Sequence, residues 1–177
     1  FYYTRKNLNT NGIMNKWENK KVAIVCDWLK DFGWAEIVIS HLLEIFPQAD
    51  IFTSVFFMEW NKIFKWRKIT TSFIQKIPFL NRSHKLALML RPYAFESFDL
   101  SEYDIVISSS SAESKWIITK PETLHFCYCH TPTRYFWSHY HEYLNMTEFG
   151  FLNPIAKWLM PKIIHKLRMW DFLASKR

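Results

Sequence analysis

Glycine is nearly missing from this chain: Gly12, Gly33 and Gly150 are the only three among 177 residues. No G-x-G-x-x-G fingerprint can be written from them, and no Walker lysine follows Gly33. So few glycines are also low for a complete nucleotide-binding enzyme. Cysteine is equally scarce. Cys26, Cys127 and Cys129 form neither a C-x-x-C pair nor a zinc spacing. Their odd number, with two on one strand candidate, fits reduced, buried thiols in a cytoplasmic protein. No run of about 18 apolar residues occurs, which argues against a membrane-spanning helix. No signal-peptide pattern is visible either. Acidic residues are absent from Trp60 to Phe95.

What is present is apolar and basic. Hydrophobic residues make up 49% of the chain, too many for a disordered one. The length suits one domain with a sizeable core. A formal charge of +7 favours an anionic partner: nucleic acid, phosphates or an anionic membrane surface. Residues 1–19 are expected to be a disordered or non-native extension, with Met14 as the natural start, and residues 20–177 the folded domain.

Lys21 to Asp27 is a basic entry into an apolar run, the pattern of a buried parallel strand. After the loop to Gly33, apolar residues fall at Ala35, Val38, Ile39, Leu42, Leu43 and Phe46, one face of a helix. Glu36 lies in its first turn, where the helix dipole favours an acid, and Pro47 ends it. Asp50 to Val55 is a second strand, which makes a βαβ opening. The helix start after Gly33 suits either a phosphate or a plain tight turn.

The acid-free segment interleaves Lys62, Lys65, Arg67, Lys68, Lys76, Arg82, Lys85 and Arg91 with aromatic residues. Lys68 to Thr71 is a short strand candidate, and Ser83 to Phe95 a helix disturbed by Pro92. Basic residues among Trp and Phe suit an interfacial membrane surface, and peripheral contact with anionic lipid is expected here. A solvated basic face over core aromatics is the plainer reading. Nucleic acid is not expected as a partner, because no RNA-binding signature accompanies the aromatics.

The centre of the chain is Asp104 to Trp137, with two short apolar runs that end in polar residues. Asp104 to Ile107 leads into a loop of four serines, which either caps a helix, the more economical reading, or offers hydroxyls to a ligand, with Ser109 and Ser110 as cleft candidates. Trp116 to Thr119 is a further short strand candidate. His125 to Cys129 reads as a buried strand that stops at His130-Thr131-Pro132, since proline cannot continue a ladder. Polar loops at strand ends are where open α/β sheets hold ligands. His130 is therefore either a crevice residue or a partly buried turn histidine. His139 and His141 are spaced wrongly for a metal pair on one helix face. Pro154 to Leu173 is the last helix, with Ile155, Leu159, Ile163, Leu167 and Trp170 opposite a basic side of Lys157, Lys162, Lys166 and Arg168.

The segments KVAIVCDWLKDFGWAE, TTSFIQKIPF, YDIVISSSSAESKWIITKPETLHFCYCHTPTRYFW and RMWDFLASKR resemble the N-terminal half of family 4 retaining glycosyltransferases. These bacterial enzymes have the GT-B fold and transfer mannosyl or rhamnosyl groups in surface polysaccharide assembly. The likeness runs from about Lys20 to Arg177. It implies a Rossmann-like parallel sheet flanked by helices, the acceptor-side half of the fold, with the donor-binding half absent from these residues. Gly33, Ala35 and Glu36 match the family's donor loop, with Trp34 in place of its second glycine. The Trp34 ring either blocks backbone approach to a phosphate or turns aside. His130 matches the cleft histidine near the transferred sugar, and Arg134 and Tyr135 follow it as acceptor or phosphate contacts.

The resemblance further implies a nucleotide-sugar co-substrate, a saccharide or lipid-linked acceptor, no metal and no other cofactor. A place at the inner face of the cell membrane, cytoplasmic and peripheral, is expected. Two other readings stand beside it: a non-catalytic domain that binds a membrane surface or lipid-linked saccharide, and a nucleotide-binding enzyme of another class, such as a sugar-nucleotide epimerase.

Overall fold

The computed structural model describes residue 17 and residues 19–59, 61–82, 87–145 and 153–176. The expected N-terminal extension lies almost entirely outside the described residues, as do positions 83–86 of the expected basic helix. Among the described residues, five strands and four α-helices follow in the order β1 (Val22–Cys26), α1 (Trp34–Ile45), β2 (Asp50–Thr53), β3 (Ile69–Thr71), α2 (Arg91–Glu96), β4 (Ile105–Ser110), β5 (Leu124–Cys129), α3 (Tyr140–Asn145) and α4 (Asn153–Ala174). The strands form one sheet in the order β3-β2-β1-β4-β5, and every pair is parallel. This is a Rossmann-like α/β architecture, the expected fold class.

β1 is central, and all five of its residues are buried. Alternate residues feed two separate cores, as strand geometry requires. Val22, Ile24 and Cys26 pack with Ile51, Ile105 and Ile107 under Ile39 and Leu43 of α1. Ala23 and Val25 pack on the other face with Phe52, Val106, Phe95 and Leu100. Full burial of each Ile, Val or Phe contributes about 1.5–3 kcal/mol. Phe52 meets Phe98 and Tyr103 edge-on at 5.3 and 5.5 Å.

Tyr103 also donates its hydroxyl to Asp50, which Lys68 Nζ approaches at 2.9 Å. Burial works against the Asp50 charge, but these two partners outweigh it and its pKa lies below the ordinary value. The fold thus favours the ionised form. That stabilisation is complete above the unfolded pKa, about 3.9, and is lost as pH falls through the folded value. Asp50→Asn should therefore flatten the acid limb of the stability curve below about pH 4. Urea midpoints measured from pH 6 downward would show it, and two parallel curves would count against it.

Several sequence expectations are corrected. Ser108, Ser109 and Ser110 are not a loop but the buried end of β4, with Ser108 and Ser109 paired on both sides and Ser110 to β5 alone. Their hydroxyls find partners inside the fold, which offsets serine's weak strand preference. Trp116 to Thr119 is no strand; Ser114–Trp116 forms a 3-10 turn instead. β5 is not buried but the edge strand, with Phe126 and Tyr128 about half exposed. Cys127 and Cys129 are exposed, and only Cys26 is the buried thiol expected of all three. Pro92 sits at the start of α2 rather than within a longer helix, where its missing N–H costs nothing. Pro161 lies inside α4 without ending it.

Candidate functional site

The order β2-β1-β4 reverses the chain's direction of growth between β1 and β4, and in open α/β sheets the crevice at such a switch point is the usual ligand site. Here Asp27, the residue after β1, reaches across it. Its carboxylate accepts backbone N–H groups of Ser111 at 2.6 Å, Ala112 at 2.9 Å and Ser114 at 2.8 Å. Ser110 Oγ donates to the same carboxylate and accepts from the N–H of Lys115 at 3.1 Å. The turn after β4 is therefore clamped onto β1. Ser110, a cleft candidate, is buried and committed to this clamp.

Next to the clamp lies a buried charged trio. Arg91 Nη1 meets Glu113 Oε2 at 3.2 Å and the Tyr135 hydroxyl at 3.0 Å, and that hydroxyl donates to Glu113 Oε1. The Arg91 guanidinium also stacks 5.0 Å from the Trp28 ring centre. Burial works against the charge on Arg91, but Glu113 outweighs it and the guanidinium holds its proton more firmly. Burial also lifts the Glu113 carboxyl above the ordinary range, and lifts the Tyr135 phenol. Tyr135, expected to meet an acceptor or phosphate, is engaged inside the protein by these bonds. Arg134 beside it is exposed.

His130 follows β5. Its N–H extends the ladder to Ser110 O at 2.9 Å, and its Nε2 lies 2.9 Å from Ser109 Oγ. The Tyr128 ring meets the imidazole edge-on at 4.9 Å. His130 is half-buried, and Tyr128 is exposed beside it. The Thr131 hydroxyl is buried with no hydrogen-bond partner among the described residues. His130 and Ser109 are thus brought together. Ser109 acts through the imidazole, since it is itself buried.

The donor-loop candidates are arranged differently. Glu36 Oε2 turns back and accepts the Gly33 N–H at 2.8 Å. A carboxylate therefore already occupies the N-terminus of α1, where a phosphate would bind. Gly33 has an extended backbone, φ −139°, which any residue adopts. Trp34 is 85% exposed. Ala35 lies half-buried in the first turn.

The acid-free segment splits into two kinds of residue. Phe64, Ile74 and Phe95 are core, whereas Trp66 is 91% and Phe79 80% exposed. Both of these exposed aromatics have left-handed backbones, φ 71° and 69°, which bulky residues rarely adopt. They flank β3, the sheet's other edge strand. Trp66 also borders a cleft of about 640 Å³ at the starting ends of β2 and β3, lined by Lys62, Lys65, Arg67, Lys68, Glu44 and Asp50. The candidate crevice residues lie at the opposite ends of the strands.

Sequence reasoning missed Asp27, Arg91 and Glu113. The available signal was an isolated acid, Glu113, set among serines and apolar residues. No group of His, Cys, Asp and Glu suited to a metal is found among the described residues. Comparison of the chain with protein-family models, with curated proteins and with solved structures found no match.

Proposed function

We propose that this chain is the acceptor-side domain of a retaining glycosyltransferase that moves a sugar from a nucleotide-sugar to a saccharide or lipid-linked acceptor. The observation that carries the reading is His130: a half-exposed imidazole at the carboxyl end of a parallel strand, oriented by Ser109 and flanked by an exposed tyrosine. An oriented imidazole in such a crevice hydrogen-bonds a sugar hydroxyl or a developing negative charge, and Tyr128 offers a flat apolar edge to a sugar ring. Asp27 and the Arg91–Glu113–Tyr135 trio hold the turn that frames this edge, so the imidazole is positioned before ligand arrives.

Within this reading Gly33, Trp34, Ala35 and Glu36 form the wall that faces the donor, with Glu36 setting the loop's shape rather than binding phosphate. Catalysis rests on positioning the acceptor hydroxyl and stabilising the departing diphosphate. In the gene product that carries both halves of the fold, His130→Ala should lower kcat roughly 10²-fold or more. Near-normal kcat in that variant removes His130 from the mechanism. Ser109→Ala should give a smaller loss, because it frees the ring without removing it.

The exposed aromatics Trp66 and Phe79 among cations support peripheral contact with anionic lipid, which would bring the domain to a lipid-linked acceptor. The same feature would serve a non-catalytic binding domain. Transfer activity that depends on His130 separates the two.

A further inference from the structure

α4 packs through one face only. Ile164, Leu167 and Ala174 are buried, with Met160 and Ile163 partly so. The single acid of this helix, Asp171, also points inward, and accepts the indole N–H groups of Trp116 and Trp137 and an ion pair from Lys115 at 3.3 Å. Trp170 Nε1 donates to Glu96 at 2.9 Å, and Arg168 Nε donates to Phe136 O. Arg168, placed on the basic side by the sequence, is therefore drawn to the protein.

The opposite face is unlike an ordinary solvent face. At helical spacing it presents Ile155, Trp158, Leu159, Lys162, Lys166, Met169, Phe172 and Leu173, with Trp158 66% exposed. No acid lies on it. Apolar residues occupy its two ends and lysines its middle, where Lys162 Nζ stands 3.7 Å over the Trp158 ring. An amphipathic helix that buries apolar side chains at a bilayer surface while lysines meet lipid phosphates has this composition. A protein partner would be a poorer match, because lysine is depleted from the centre of protein interfaces.

We infer that the outer face of α4 is a membrane-contact element that lies on anionic phospholipid, separate from the acid-free segment around Trp66 and Phe79. The inference does not depend on the catalytic reading. The charge on this face selects the occupant: Lys162 and Lys166 lack any carboxylate neighbour on their own face, and an anionic bilayer supplies one sign of charge over the whole stripe.

Sedimentation of the 177-residue chain with phosphatidylserine–phosphatidylcholine vesicles at low salt tests this. The double variant K162E/K166E should cut the partition coefficient by at least about tenfold, and the milder K162Q/K166Q pair by less. All four are solvent-facing substitutions, so far-UV circular dichroism and melting temperature should stay at wild-type values. W158S should lower binding most at raised salt, where the apolar share dominates. The charge reversal K65E/R67E, in the other basic segment, separates the two surfaces. Binding that falls only with K65E/R67E overturns the α4 element and leaves the acid-free segment as the membrane contact. Equal binding to pure phosphatidylcholine overturns it as well. So does a dimer broken by K162E/K166E with vesicle binding unchanged, which would make a second copy the occupant.

Discussion

Asp27→Ala is expected to lose about 3–6 kcal/mol of folding stability, enough to unfold much of the population of an ordinary domain. Asp27 is 6% exposed, and its carboxylate accepts three backbone N–H groups and one hydroxyl. Removal leaves those donors buried without an acceptor, at about 1–3 kcal/mol each, less whatever the turn regains by shifting. Asp27→Asn keeps the shape and one acceptor oxygen, so its loss should be about half. Urea denaturation of the three proteins gives the comparison. A loss below about 1 kcal/mol for the alanine variant would mean that the turn after β4 is held by something else.

Arg91→Met is the second large effect, a loss of about 3–5 kcal/mol. Arg91 and Glu113 are almost fully enclosed, 3% and 0% exposed. Removing the cation alone strands a carboxylate that burial already pushes towards its neutral form. Stability should then depend on pH in one direction: the variant should recover partly in mild acid, where Glu113 is protonated, and weaken as pH rises. Arg91→Met with Glu113→Gln should regain much of the loss, because the double variant leaves no unpaired charge. Additive losses in the double variant would contradict the coupling. Tyr135→Phe, which removes the hydroxyl's bonds to Glu113 and Arg91, should cost about 1–3 kcal/mol.

Both devices were hidden in the sequence for the same reason. Asp27 meets partners 83 to 87 residues away, and Arg91 meets Glu113 and Tyr135 across 22 and 44 residues. Local pattern carries no record of such pairings. What local pattern does carry is burial period and chain punctuation. The apolar run at Val22–Cys26 and the 3.6 period of α1 therefore appear within a residue or two of their places. Pro132 marked the end of β5 and so located His130. Three of the four serines misled because weak strand formers signal a loop until their hydroxyls are known to be satisfied, as Ser108 is by His125 and Ser109 by His130. The run His125–Cys129 could not show that β5 is an edge, since which neighbour a strand has is a property of the whole sheet. Likewise one face of α4 looked apolar in sequence, but Ile155 and Leu159 project outward while Ile163 and Leu167 pack.

The most direct measurement is sugar transfer by the native gene product in membranes from its source, with labelled nucleotide-sugars and a lipid-extractable acceptor. The expected result is label in the lipid-linked saccharide with the anomeric configuration of the donor retained, and a loss of roughly 10²-fold in the His130→Ala variant. An inverted linkage, or equal transfer by the variant, would contradict the account.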